Sequence, residues 1–208
     1  MVEETGARPR YHHGDLKAAL IEATLALLSK RRLEDIRVAD AARAARVSSA
    51  APYRHFTDRD DLLAHVAAEG FHRLNAAITR GFDAEPAGSV EAIVAGGCAY
   101  TEFGAANPEL FHLMWGAARD HRAYDIARQS GRICYGTFLA RLASTMEAEG
   151  LGHHDPQVFG APLWAMVHGF AGLLIGKPGQ YCDGLDYVRG CIGSGTRAYF
   201  AGARRVEG

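Results

Sequence analysis

Apolar positions recur along this chain at helical spacing, broken by short polar stretches, and nowhere in the sustained alternation of a strand. Leu16, Leu20, Ala23, Leu27 and Leu28 make one stripe, starting behind Asp15 and ending at Lys30-Arg31-Arg32, cations suited to the negative end of a helix. Val38, Ala41, Ala42 and Ala45 give a short second helix a face lined by alanine, which lets a neighbour cross closely. Ala45-Arg46-Val47 reads as a turn. Ser48 is suited to cap a third helix, with Tyr53 and Phe56 as its underside and Ser49, Ala50, Ala51 and Arg54 on its open face. Thr57-Asp-Arg-Asp60 then caps a fourth helix, whose apolar face from Leu62 to Ile78 outruns the small bundle before it. Beyond the break Gly81–Gly88, Ser89 opens a helix to about Ala106, and Asn107-Pro108-Glu109 restarts the chain as N-cap, tolerated proline and acid. Longer helices are expected over Arg119–Glu149, Asp155–Ile175 and Gly184–Phe200. The pattern predicts an all-α fold, with a three-helix head on a larger helical body.

Two short helices, a tight turn and an open face of small and basic side chains are what a helix-turn-helix presents to a major groove. On that face Ser48, Ser49, Ala50 and Ala51 stand nearest the base edges, and Arg54 has the fork that matches guanine. Arg37 is placed to touch the DNA backbone from the preceding helix. The stretch Arg37–Leu63, RVADAARAARVSSAAPYRHFTDRDDLL, resembles the DNA-binding signature of the tetracycline-repressor (TetR) family of bacterial regulators, and the likeness covers about residues 11–65. That resemblance implies phosphate contacts from Tyr53, His55 and Arg59. Two positions depart from the family pattern. Arg46 stands where glycine is usual, which puts a side chain at a site of positive φ, and Pro52 stands inside the expected recognition helix.

Charge supports this division of labour. Residues 8–59 hold 11 Lys+Arg against 6 Asp+Glu, a net of +5, while the whole chain carries −1, so the remainder holds about −6. The organisation expected is a basic arm over residues 1–12, a DNA-binding domain over 13–57, and an effector-binding and dimerisation domain over 58–208. Cys98, Cys134, Cys182 and Cys191 are scattered with no CxxC, which reads as core thiols in a reduced, cytoplasmic setting. The apolar run Ala161–Ile175 falls short of the ~20 residues that span a bilayer, so no membrane partner is expected. Neighbouring histidines such as His153-His154 diverge on a helix, and there is no glycine-rich phosphate loop and no GxSxG. No metal, no cofactor and no catalytic constellation are expected.

In the body, Tyr100, Phe103, Phe111, Met114, Trp115, Phe138, Trp164 and His168 form an aromatic-rich set. By itself such a stripe is more often plain core than a pocket. The family resemblance implies a cavity there for a small, largely apolar effector. Pro108–Trp115 and Leu163–Leu174 also resemble a family subgroup whose C-terminal domain carries Trp followed by His-Gly, here Trp164, His168 and Gly169. Val158, Leu163, Val167, Phe170 and Leu174 wrap most of the way round one helix, and Leu185, Val188 and Ile192 follow on the last. Helices apolar on nearly all sides need a cover, and a second copy of the chain supplies one. The function expected is a homodimeric regulator that binds a palindromic double-stranded operator and is released by a small molecule. Two other readings stand beside it: a helical binding protein without a DNA role, which Arg46 and Pro52 favour, and a helical enzyme built around His168.

Overall fold

The computed structural model of the chain describes residues 13–116, 124–176 and 183–206. The basic arm, the first residues of the helix expected from Arg119, and Cys182 lie outside them. Among the described residues there are eight α-helices and no strand. They are α1 (His13–Leu28), α2 (Val38–Ala44), α3 (Arg59–Asp83), α4 (Val90–Ala106), α5 (Pro108–Trp115), α6 (Asp125–Ala148), α7 (Pro156–Gly176) and α8 (Leu185–Val206). Single 3-10 turns stand at Leu33–Asp35 and Pro52–Arg54.

The head closes on Leu20, Leu28, Ile36, Val38 and Phe56, all buried. Ala41 and Ala42 are completely shielded, so the alanine face of α2 admits α1 at close range as its spacing predicts. α2 ends in a Schellman motif: the Val47 N–H donates to the Ala42 carbonyl and the Arg46 N–H to that of Arg43. That motif needs a left-handed residue, and Arg46 takes the position at φ 58°, the one non-glycine residue with positive φ among those described.

α3 is about 38 Å long at 1.5 Å per residue and belongs to both parts of the molecule. Asp58 caps it by accepting from the Asp61 N–H at 2.9 Å. Its first turns pack on α1, and further along it meets α4, α5 and α6. The crossing with α4 is tight, since a Cβ on Gly81 would lie 2.7 Å from the Ala95 carbonyl oxygen. Ser89 caps α4 as its sequence predicts, accepting from the Ala92 N–H. Asn107 does not cap α5 with its side chain; the amide turns back and donates to the Phe103 carbonyl at the end of α4. Paired guanidinium–carboxylate contacts join α8 to α4, with Arg197 forked onto Glu91 at 2.7 and 2.8 Å.

The segment after Val47 departs most from expectation. No regular α-helix forms there. Pro52 has no N–H to donate to the Ser48 carbonyl, which takes the Ala51 N–H instead, and the chain continues as turns to Phe56. Ser48 therefore serves through its carbonyl, not as a side-chain cap.

Candidate nucleic-acid interface and effector cavity

The turn-wound segment leaves its small side chains outside. Ser48, Ser49 and Ala50 are exposed, Ala51 is half-buried, and Arg54 stands in solvent. Arg37 at the start of α2 is exposed as well, its N–H held by the Asp40 carboxylate at 3.1 Å. Helical spacing predicts Tyr53 beneath the segment, yet it is 60% exposed; Pro52 and Phe56 fill the underside instead. With 3-10 winding, residues three apart eclipse differently from an α-helix, and the proline ring takes the inward place. Tyr53 is thereby free to meet a phosphate.

Two of the expected phosphate contacts are placed otherwise. Arg59 turns inward, donating from Nε to the Ile36 carbonyl at 2.7 Å and from Nη2 to the Leu33 carbonyl at 2.8 Å. It ties the loop after α1 to the start of α3, so its fork is already spent. His55 is half-buried, and among the described residues its Nε2 is shut away from solvent with no hydrogen-bond partner. Two cations that motif reading passed over are open on the same head, Arg43 and Arg46. Arg46 was legible as a backbone anomaly, and its charge follows from the same position.

The body holds a narrow, partly open void between α3, α4, α6 and α7, lined by Tyr100, Trp115, Phe138 and Trp164 among the expected residues. It measures only about 50 Å³, space for a few waters and too little for an effector without rotation of the rings. Met114 is fully buried against Gly70 as core, and Phe103 packs on the core without lining the void. Phe111 and His168 flank it and face a small outer cleft beside Gly172. Unforeseen lining comes from Phe71, Leu74 and Ile78 of α3, from Cys134 and Tyr135 of α6, and from Leu163 of α7. The helical spacing of 71, 74 and 78 marked an apolar face, but nothing in it told a cavity wall from core.

His168 satisfies its polar ring within the chain. Burial raises the Tyr100 hydroxyl well above its ordinary pKa, and its oxygen is hydrogen-bonded to His168 Nδ1 at 2.8 Å. The ring stacks on Trp164 with centroids 4.9 Å apart and 9° between planes, and meets Trp115 edge-on. Burial likewise pushes the Cys134 thiol up to about 12. Among the described residues no three His, Cys, Asp or Glu side chains gather as metal ligands.

A backbone-to-carboxylate hydrogen bond ties α5 to the head. The Leu33 backbone N–H donates to Glu109 of α5 at 2.7 Å, and the same short helix ends at Trp115 beside the void.

The dimer residues sort differently from expectation. Val158 is 71% exposed, but Leu163, Val167, Leu174, Val188 and Ile192 are buried in the chain's own core, and Phe170 and Leu185 are half-buried. The larger side chains of α7 face inward, and its outer arc is Val158, Pro162, Ala165, Gly169, Gly172 and Leu173. On α8 the matching stripe is Tyr187, Gly190, Ser194, Ala198 and Gly202. α7 runs 21 residues from Pro156, past the apolar run expected from Ala161, and its most apolar 18-residue stretch has mean hydropathy 1.7, a length and composition that a buried core helix shares with a membrane span.

Comparison with known proteins bears on both halves. Residues 20–66 match the family model for bacterial regulatory proteins of the tetR family, and residues 93–182 match that for the tetracyclin repressor-like C-terminal domain. No curated protein matches the chain. Among solved structures, a protein of unknown function from Rhodococcus sp. RHA1 is 27% identical with TM-score 0.79, over 94% of this chain and 98% of that one. The TetR family transcriptional regulator PfmR from Thermus thermophilus is 17% identical with TM-score 0.61, over 88% and 97%. A TetR family transcription regulator from Marinobacter aquaeolei is 15% identical with TM-score 0.59, over 86% and 94%. The last two share the fold at low identity.

Proposed function

The chain belongs to the tetracycline-repressor family of DNA-binding transcriptional regulators and is not an enzyme, and we propose that it acts as a homodimeric repressor released by a small, largely apolar effector. Division of the chain at about residue 58 gives the head to DNA and the body to the effector and the second copy. In the head, Ser48, Ser49, Ala50 and Arg54 meet base edges, while Tyr53, Arg37, Arg43 and Arg46 meet phosphates, which set register without reading sequence. Two heads related by a two-fold axis read a palindrome with half-sites about one helical turn, or a multiple, apart.

The dimer joins through the small-residue stripes of α7 and α8. Gly169, Gly172, Gly190 and Gly202 have nothing within 4 Å of a built Cβ, so they offer open backbone to a close-packed partner helix. The observation that carries the release mechanism is the sharing of α3. Its capped start follows the recognition segment directly, and its middle, Phe71, Leu74 and Ile78, walls the void. A ligand that enlarges the void by displacing α3 or α5 moves an element that touches the head. Release then requires that the ligand bind the displaced arrangement more tightly than the DNA-bound one.

The test is fluorescence anisotropy of labelled DNA from upstream of the protein's own gene, at stated salt, with a scrambled duplex as control. Tight binding to the upstream DNA, weakening with salt and lost on adding an apolar ligand, is the result expected. Equal affinity for both duplexes would leave a helical ligand-binding protein without operator function.

A further inference from the structure

The aromatic void does not end inside the molecule. Phe71, Trp115, Gly131, Tyr135 and Trp164 line it on one side and on the other line an open groove between α6 and α7 of about 820 Å³. A space of that size holds a small organic molecule, as the void alone does not. Its walls are aromatic rings with Leu139 and Ala161, and its floor is kept low by Gly136, where a built Cβ meets nothing within 4 Å. The charged side chains along it are Arg128 and Arg132, one turn apart on α6, and among the described residues no carboxylate lines it. Arg128 donates to Asp125. Arg132 is exposed and makes no ion pair among the described residues. An unspent guanidinium at the edge of an apolar trough suits a carboxylate, which it can hold by two parallel hydrogen bonds.

We propose that the effector is an amphipathic monoanion, its carboxylate on Arg132 and its apolar tail laid along the α6–α7 groove to Tyr135 and Trp164, whose rings turn to admit it towards the void. This deepens the effector reading and rests on it. A neutral analogue loses the guanidinium contact, and a cationic one meets two arginines.

The chain has two tryptophans, Trp115 and Trp164, and both line the void and the groove. Intrinsic emission therefore reports occupancy. The full chain is titrated with decanoate, 1-decanol and decyltrimethylammonium, each below its critical micelle concentration, and the series is repeated on Arg132→Ala and Arg132→Lys. Circular dichroism confirms that these surface variants fold. The expected result is a saturable emission change with decanoate at roughly tenfold tighter affinity than decanol, a preference lost in Arg132→Ala and partly kept in Arg132→Lys. Equal affinity for decanoate and decanol, a preference intact in Arg132→Ala, or no emission change with any of the three overturns the proposal. Operator release, followed in parallel, separates it from the reading beneath. Arg132-dependent decanoate binding without release refutes the effector role and leaves the anion site standing. Release by decanol as readily as by decanoate keeps the effector role and removes the anion site.

Discussion

The guanidinium of Arg59 is bonded to two backbone carbonyls inside the head, whereas that of Arg54, five residues earlier, stands in solvent. Replacing each with alanine separates DNA reading from support. Arg54→Ala should weaken operator binding by about 1–3 kcal/mol and relax one base preference, with thermal stability unchanged. Arg59→Ala removes both bonds, leaving the Leu33 carbonyl with the Ile36 N–H alone, and should lower stability by about 1–3 kcal/mol in urea unfolding, while the salt slope of DNA binding stays the same. Arg46 joins both effects in one residue. A left-handed conformation costs a side-chain-bearing residue roughly 1–2 kcal/mol, partly offset by the larger unfolded-state entropy of glycine. Arg46→Gly should therefore raise Tm by about 2–4 °C, read by calorimetry, and reduce the salt slope by about one counterion as a phosphate contact is lost.

At the scale of elements, α7 explains what was legible in the sequence and what was not. Its existence, direction and start near Asp155-Pro156 follow from spacing and caps, as do the capped starts of α3 and α4. Which side faces the partner did not follow, because hydrophobicity marks burial without naming what buries it. The apolar wrap assigns Leu163 and Val167 to a second subunit, yet the chain's own helices cover them and leave the glycines and alanines outside. The recognition segment failed for a different reason. Periodicity and a serine suggest an α-helix, but one missing N–H at Pro52 decides the winding locally. The void is half legible: aromatic rings stand out in the composition, while Phe71 and Tyr135 needed the crossing of α3 and α6. The outer face of α7 gives the prediction at this scale. Gly169→Glu improves intrinsic helix propensity by up to about 1 kcal/mol, yet it should convert the protein to a monomer in sedimentation equilibrium, because charge and bulk enter a close-packed seam.

At the scale of the whole molecule, two elements each reach both the head and the void, and the proposed release runs through them. α3 starts in the head and walls the void, and α5 holds the Leu33 N–H with Glu109 while placing Trp115 beside the void. Glu109→Ala should leave operator affinity nearly intact and raise the ligand concentration needed for release severalfold, measured by anisotropy with the same duplex. An unchanged release curve would assign the coupling to α3 alone. The central claim, that paired heads read a two-fold site through the segment from Ser48 to Arg54, is tested most directly by hydroxyl-radical footprinting of the upstream DNA with the full chain. Two equal protected patches on one face of the duplex, about one helical turn or a multiple apart and both lost in Arg54→Ala, are the predicted result. A single asymmetric patch, or protection that Arg54→Ala leaves untouched, would contradict it.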